Sequence, residues 1–148
     1  MKRIRYISEF VHPMTSEQLD ELTRVSARNN MRDGITGMLV ASGNLFFQLI
    51  EGPDEAIDAL FAKIARDERH TNVMALGTES GDLKRLCPNW GMNRADLDSD
   101  DDVRLEPIRA ILHAVSQQQR ILTDLTETLE RAMWRELIQA ENSTVVDG

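Results

Sequence analysis

Two polar side chains stand where the surrounding pattern asks for apolar ones. Tyr6 belongs to the alternating stretch Ile4-Arg5-Tyr6-Ile7-Ser8, on the side it shares with Ile4 and Ser8. Gln48 belongs to Leu45-Phe46-Phe47-Gln48-Leu49-Ile50 and is flanked at two-residue spacing by Phe46 and Ile50. Residues at that spacing share one face of a strand, so a core-facing assignment buries a phenol and a carboxamide. Buried polar groups need partners, and a glutamine amide, which both donates and accepts, can satisfy a tyrosine hydroxyl. On periodicity alone, a plain structural hydrogen bond is the simpler reading of the pair.

The other reactive residue types form no constellation. His12, His70, His113 and the lone Cys87 stand at no metal-ligand spacing. Asp96, Asp98 and Asp100 open like a calcium loop, but Asp101 holds the position that needs glycine and Pro107 the position that needs an acid. Gly34-Ile35-Thr36-Gly37 has the spacing of an RNA-gripping loop without a basic or aromatic stripe beside it. No Gly-x-Ser-x-Gly elbow and no phosphate loop is present, so nothing announces hydrolysis or phosphoryl transfer.

Charge and cysteine usage narrow the partners. Twenty-five acids against 17 bases leave a net charge of -8, the wrong sign for general nucleic-acid binding or for docking on an anionic membrane. A single cysteine allows no intrachain disulfide and fits a reducing compartment. No signal peptide or apolar span is visible. The expected location is cytoplasmic, with no nucleic-acid and no membrane partner.

The elements that must position Tyr6 and Gln48 follow from period and punctuation. Residues 2–8 alternate as a strand. Thr15 and Gln18 form a capping box, with Met14 and Leu19 at staple spacing, and open a helix that runs to about Asn30. Strands follow over 36–41 and 45–51, joined by a Ser42-Gly43-Asn44 turn. Pro53 is expected at the first position of a second helix, whose apolar face is Ala56, Ile57, Leu60, Phe61 and Ile64. Residues 67–71 read as a charged loop, 73–78 as a fourth strand, 79–87 as irregular, and 88–93 as the entry to a fifth strand. The order βαββαββ is α+β and ferredoxin-like, with both helices on one face of the sheet. This domain spans 1–97, an acidic linker 98–106, a C-terminal helix 107–142 and an unstructured tail 143–148. The helix carries a seam at Ile108, Ile111, Val115, Gln118, Leu122, Leu125, Leu129 and Ala132, which predicts a parallel coiled-coil homodimer. The competing arrangement folds one amphipathic helix back on the domain's own sheet.

Tyr6 on the first strand, Asn30 at the end of the first helix, Gly34–Leu39 (GITGML), FFQLIEGP around Gln48, DERH at 67–70 and PNWGM around Trp90 and Met92 come in the order and spacing of a BLUF domain. The chain resembles that family over residues 1 to about 97. The resemblance implies a non-covalent flavin between the two helices, FAD as the expected form and FMN as the other. It implies that Asn30 bonds the flavin's pyrimidine edge and that Gln48 bridges Tyr6 and the N5/O4 edge. Asp67, Arg69 and His70 then lie towards the far edge and ribityl side, Ile35 and Ser26 help line the ring, and the role of Asn29 is open.

The function implied is blue-light sensing, photochemical rather than enzymatic. Tyr6 yields an electron, a proton moves through Gln48, and their return leaves Gln48 rotated or tautomerised, with the absorption shifted to the red. Met92 and Trp90 are then the candidates for relaying that change to the helix that begins near Pro107. The stretch PIRAILHAVSQQQRILTDL resembles the segment that joins BLUF domains to the cyclase of bacterial photoactivated adenylyl cyclases. No cyclase follows in this sequence, and two readings stay open: a short BLUF protein that acts through a separate downstream protein partner, or a receptor whose partner docks on the coiled coil itself. The alternatives are a flavin-binding redox protein that works in the dark and a flavin-free interaction module on the same fold.

Overall fold

A computed structural model describes residues 1–89, 91–96 and 105–139. The elements in chain order are β1 (Lys2–Phe10), α1 (Ser16–Arg32), β2 (Thr36–Ser42), β3 (Leu45–Gly52), α2 (Asp54–Ala65), β4 (His70–Ser80), β5 (Asn93–Asp96) and α3 (Glu106–Met133). The sheet order is β4-β1-β3-β2-β5. The first four strands are antiparallel to their neighbours, and β5 lies parallel to β2. The crossover through α1 leaves a gap between β1 and β2, and β3 fills it. This is the expected ferredoxin-like α+β arrangement.

Alternation along β1 and β3 sorts the two faces. Tyr6, Phe10, Leu39, Ala41 and Phe46 pack with Leu19 and Leu22 of α1 and with Phe61 and Ile64 of α2. Ile4, Ile35 and Ile50 pack with Ile57 of α2. Both helices therefore cover the face that carries the even-numbered residues of β1 and β3. Helix α1 starts as its sequence requires: Gln18 N–H donates to Thr15 Oγ1 (3.1 Å), and Thr15 N–H donates to Gln18 Oε1 (2.9 Å).

Several boundaries differ from the sequence reading. Ser42 pairs with Leu45, so the hairpin loop is the two residues Gly43-Asn44, and Gly43 takes the positive φ of 59°. Pro53 keeps an extended ψ of 139° and accepts from Ile57 N–H (3.0 Å), which makes it the N-cap rather than the first helical residue. Strand β4 begins at His70 instead of 73, because bulges in its pairing with β1 and a left-handed Asn72 (φ 53°) carry the ladder across polar residues. Strand β5 begins at Asn93, after the PNWGM segment rather than within it.

The chain divides into two compact units, Met1–Leu112 and His113–Gly148. The first unit thus includes the opening turns of α3, where Leu112 is buried. Of the expected linker, residues 98–104 lie outside the described residues, and Glu106 already belongs to α3. The tail 143–148 also lies outside them. In the second unit α3 ends in a π-helical turn, Trp134–Ile138. Ile121, Leu122, Leu125, Leu129, Met133, Trp134 and Leu137 are exposed there. Among the described residues no helix is long and apolar enough to cross a membrane.

Candidate functional site

The register of two central strands builds the centre of the site. Tyr6 on β1 stands directly opposite Gln48 on β3, and Leu39 on β2 stands opposite Gln48 from the other side. Tyr6 is 1% exposed and Gln48 7%. The phenol Oη donates to Gln48 Oε1, and Gln48 Nε2 donates to Met92 Sδ at 3.3 Å. Burial pushes the Tyr6 hydroxyl far above its ordinary range, and the negative charge of Asp67 adds to the effect. The phenol therefore stays protonated and acts as the donor. A thioether is a weak acceptor, so the bond on the far side of Gln48 is the easier one to give up.

These groups border an open-mouthed cavity of about 1240 Å³ lined by residues of α1, α2 and the sheet. Ser26, Asn29 and Asn30 line it from α1; Leu60, Lys63 and Ile64 line it from α2. Asn30 Nδ2 donates to the Gly91 carbonyl at 3.0 Å. Gly91 must be glycine for that approach, because a Cβ would stand 2.7 Å from the Ala27 carbonyl oxygen on α1.

Asp67, Arg69 and His70 also reach the cavity. Arg69 clamps Asp67 through Nη2 (2.5 Å) and Nε (3.0 Å), and this hydrogen-bonded charge lowers the Asp67 carboxyl to about 2 against the cost of its partial burial. His70 Nδ1 lies 3.0 Å from Ser8 Oγ, and its ring packs against Phe10 and Phe46. Ser8 sits two residues beyond Tyr6 on the same side of β1. That spacing was the only signal for its part in the site.

Two expected residues stand apart. Ile35 does not line the cavity; it is buried in the cluster with Ile4, Ile50 and Ile57, on the side of the core under α2. Trp90 lies outside the described residues.

Burial holds the His70 imidazole below its ordinary pKa of 6.5, more than Asp67 raises it, and Arg69 adds to the lowering. The unfolded chain then takes up this proton at a higher pH than the folded one. Stability from a neutral His70 is complete above 6.5 and is lost as the pH falls through the folded value. As the pH falls below about 6.5 the urea midpoint of the protein should fall, and His70→Gln should flatten that slope. Equal slopes in both proteins would assign the acid sensitivity elsewhere.

The donor set suits a flavin. The cavity exceeds the ~300–1,000 Å³ typical of pockets for drug-sized ligands. Leu22, Leu39, Leu60 and Ile64 offer apolar walls to a flat ring system. Asn30 and Gln48 bring amides to the cavity lining, and neither bond above exhausts their capacity to donate and accept. Arg32, Lys63 and Arg69 stand on the lining among Glu21, Asp33, Asp67 and Glu68.

Comparison with known proteins agrees. A family model described as "BLUF: Sensors of blue-light using FAD" matches residues 1–93. The photoactivated adenylate cyclase subunit beta of Euglena longa is 38% identical over 103 residues, which are 67% of this chain and 12% of that protein. The chain thus spans about an eighth of that relative's length. A bacterial light-regulated adenylyl cyclase superposes with a TM-score of 0.76 at 39% identity, covering 84% of this chain and 36% of the other. The dark-state structure of BlrB, a BLUF protein, gives 0.67 at 27% identity and covers 88% of this chain and 96% of the other. With a family match over residues 1–93 and the Tyr6–Gln48 pair beside a flavin-sized cavity, the chain belongs to the BLUF family of blue-light sensors that use FAD.

Proposed function

We propose that this chain is a blue-light receptor in which Gln48 is the switching group. The observation that carries the reading is the chain of contacts from the Tyr6 hydroxyl through the Gln48 amide to the Met92 sulfur, at the wall of the cavity. Asn30, Gln48 and the cavity residues Ser26 and Asn29 would hold the flavin ring, and Asp67, Arg69 and His70 its outer side. When bound, the flavin supplies blue-light absorption and, once excited, an electron acceptor.

Tyr6 is placed to release its phenolic proton to Gln48 Oε1 and to take it back. A Gln48 amide that has turned over offers Nε2 to the Tyr6 oxygen and releases Met92 Sδ. The phenol then accepts where it had donated. Both settings of the amide keep a hydrogen bond between the two side chains. At the buried Tyr6–Gln48 pair, such small changes register strongly on a bound ring. Met92 adjoins β5, and we assign it the relay to the strand and, with Trp90, to the output helix. The output is a parallel homodimer through α3 that presents its light-dependent state to a downstream protein.

The deciding experiment is an absorption spectrum in the dark and after blue light. A yellow protein whose bands move modestly to the red and return in darkness is the expected result. A yellow protein without a reversible shift would favour the dark redox reading, and a colourless one that takes up no added flavin would favour the interaction module.

A further inference from the structure

The sheet face turned away from the cavity holds a second polar system. Glu79, Arg3, Glu51 and Thr36 stand in one row across β4, β1, β3 and β2, each opposite the next. Glu51 is fully buried. Its carboxylate accepts from Arg3 Nε (3.0 Å) and from the backbone N–H groups of Leu86 (3.1 Å) and Cys87 (2.6 Å). Arg3 also pairs with Glu79 and donates through Nη2 to the Lys84 carbonyl (2.6 Å). Arg85 adds bonds to Thr36 Oγ1 (2.8 Å), the Glu51 carbonyl (3.3 Å) and the Gly34 carbonyl (2.8 Å). Burial opposes the Glu51 charge, but the two amides and the Arg3 guanidinium outweigh it and hold the carboxyl below its ordinary range.

The bonds from Glu51 to Leu86 and Cys87, from Arg3 to the Lys84 carbonyl and from Arg85 to β2 and β3 grip the connection between β4 and β5. Its residues 84–87 are fastened behind the sheet, while Gly91 is fastened to Asn30 and Met92 meets Gln48 in front. Glu51 and Gln48 are three residues apart on one strand and so point to opposite faces. Segment 84–92 therefore joins a charged anchor on one side of β3 to the thioether partner of the amide on the other.

We propose that Glu51 and Arg3 form a latch that holds segment 84–92 in register, and that Glu51 is a positioning residue for Met92 against Gln48. The inference rests on Gln48 being the switching amide, but the latch itself exists with or without light. Breaking it frees Met92 to leave Gln48 and loosens the buried Cys87, the chain's only cysteine. The thiol is therefore an unambiguous reporter of the latch.

The test is the rate at which a maleimide labels Cys87 in the dark, together with the dark recovery of the red-shifted state, in Glu51→Gln, Met92→Ala and the double variant. Glu51→Gln should speed labelling at least about tenfold, the factor expected when a charge-assisted hydrogen bond no longer opposes local opening. It should also change the recovery rate by about threefold or more when Met92 is present and leave it nearly unchanged when Met92 is absent. A general loss of stability would act in both backgrounds alike. Arg85→Ala leaves the buried ion pair intact and should speed labelling by a smaller factor, which keeps the test available if Glu51→Gln does not fold. Labelling no faster than wild type, or an equal change of recovery with and without Met92, overturns the latch. If the unaltered protein shows no reversible shift, the receptor reading fails, and the labelling rates alone decide for or against the latch.

Discussion

Tyr6→Phe should leave a yellow, folded protein whose bands no longer move under blue light. The substitution removes one oxygen and its proton and keeps the ring that packs at 5.6 Å from Phe61 and 6.2 Å from Phe46. The rest of the cavity wall and the Asn30–Gly91 bond are untouched, so flavin content should stay near that of the unaltered protein. What is lost is the proton that Gln48 Oε1 accepts. Without a phenol, the amide has neither the donor that fixes one orientation nor the acceptor that stabilises the other. The buried Oε1 left without its donor should cost about 1–3 kcal/mol of stability, less if water from the cavity replaces the hydroxyl. Absorption difference spectra and the denaturation midpoint check the two parts separately. A Tyr6→Phe protein that still shifts and recovers would remove Tyr6 from the switch and leave it as core.

How much of this was legible in the sequence depended on the range of the interaction. The Thr15 capping box and the Tyr6 and Gln48 faces follow from neighbours within a few residues, and the structure has them where the pattern put them. Strand β5 is four residues long and pairs in parallel with β2, so it carries no alternation of its own to mark its start. The resemblance implies Ile35 beside the ring. The turn at Gly34 instead delivers it to Ile4, Ile50 and Ile57, an outcome that depends on strand packing rather than on motif. The Glu51 network was invisible for a similar reason. Its members are scattered through the chain, and a charged residue at the end of an apolar strand looks like a strand exit. Only the register of β1 against β3 reveals that Arg3 meets it.

Leu125→Glu should turn a dimer into a monomer and leave the light-driven shift intact. Within the second unit, Leu122, Leu125 and Leu129 are 58%, 62% and 59% exposed, on consecutive turns of one helix. An isolated helix gains nothing from such a stripe in water, and a second copy of the same stripe buries it at the 3,4 spacing of a coiled-coil seam. Each leucine buried contributes roughly 1.5–3 kcal/mol, and a symmetric dimer loses two of them per substitution. Two facing glutamates add repulsion, so the dissociation constant should rise at least about a hundredfold. Gln118 on the same seam would favour one parallel register at some cost in affinity. Sedimentation of both proteins in the dark measures the effect. Because Leu125 lies outside the unit that holds the cavity, the absorption shift and its recovery should match the unaltered protein. An unaltered chain that sediments as a monomer would support the helix folded back on its own sheet. A dimer indifferent to Leu125→Glu would move the contact off the seam. Monomers that still shift but no longer engage the downstream partner would separate detection from output, which is what a sensor that signals through its helix requires.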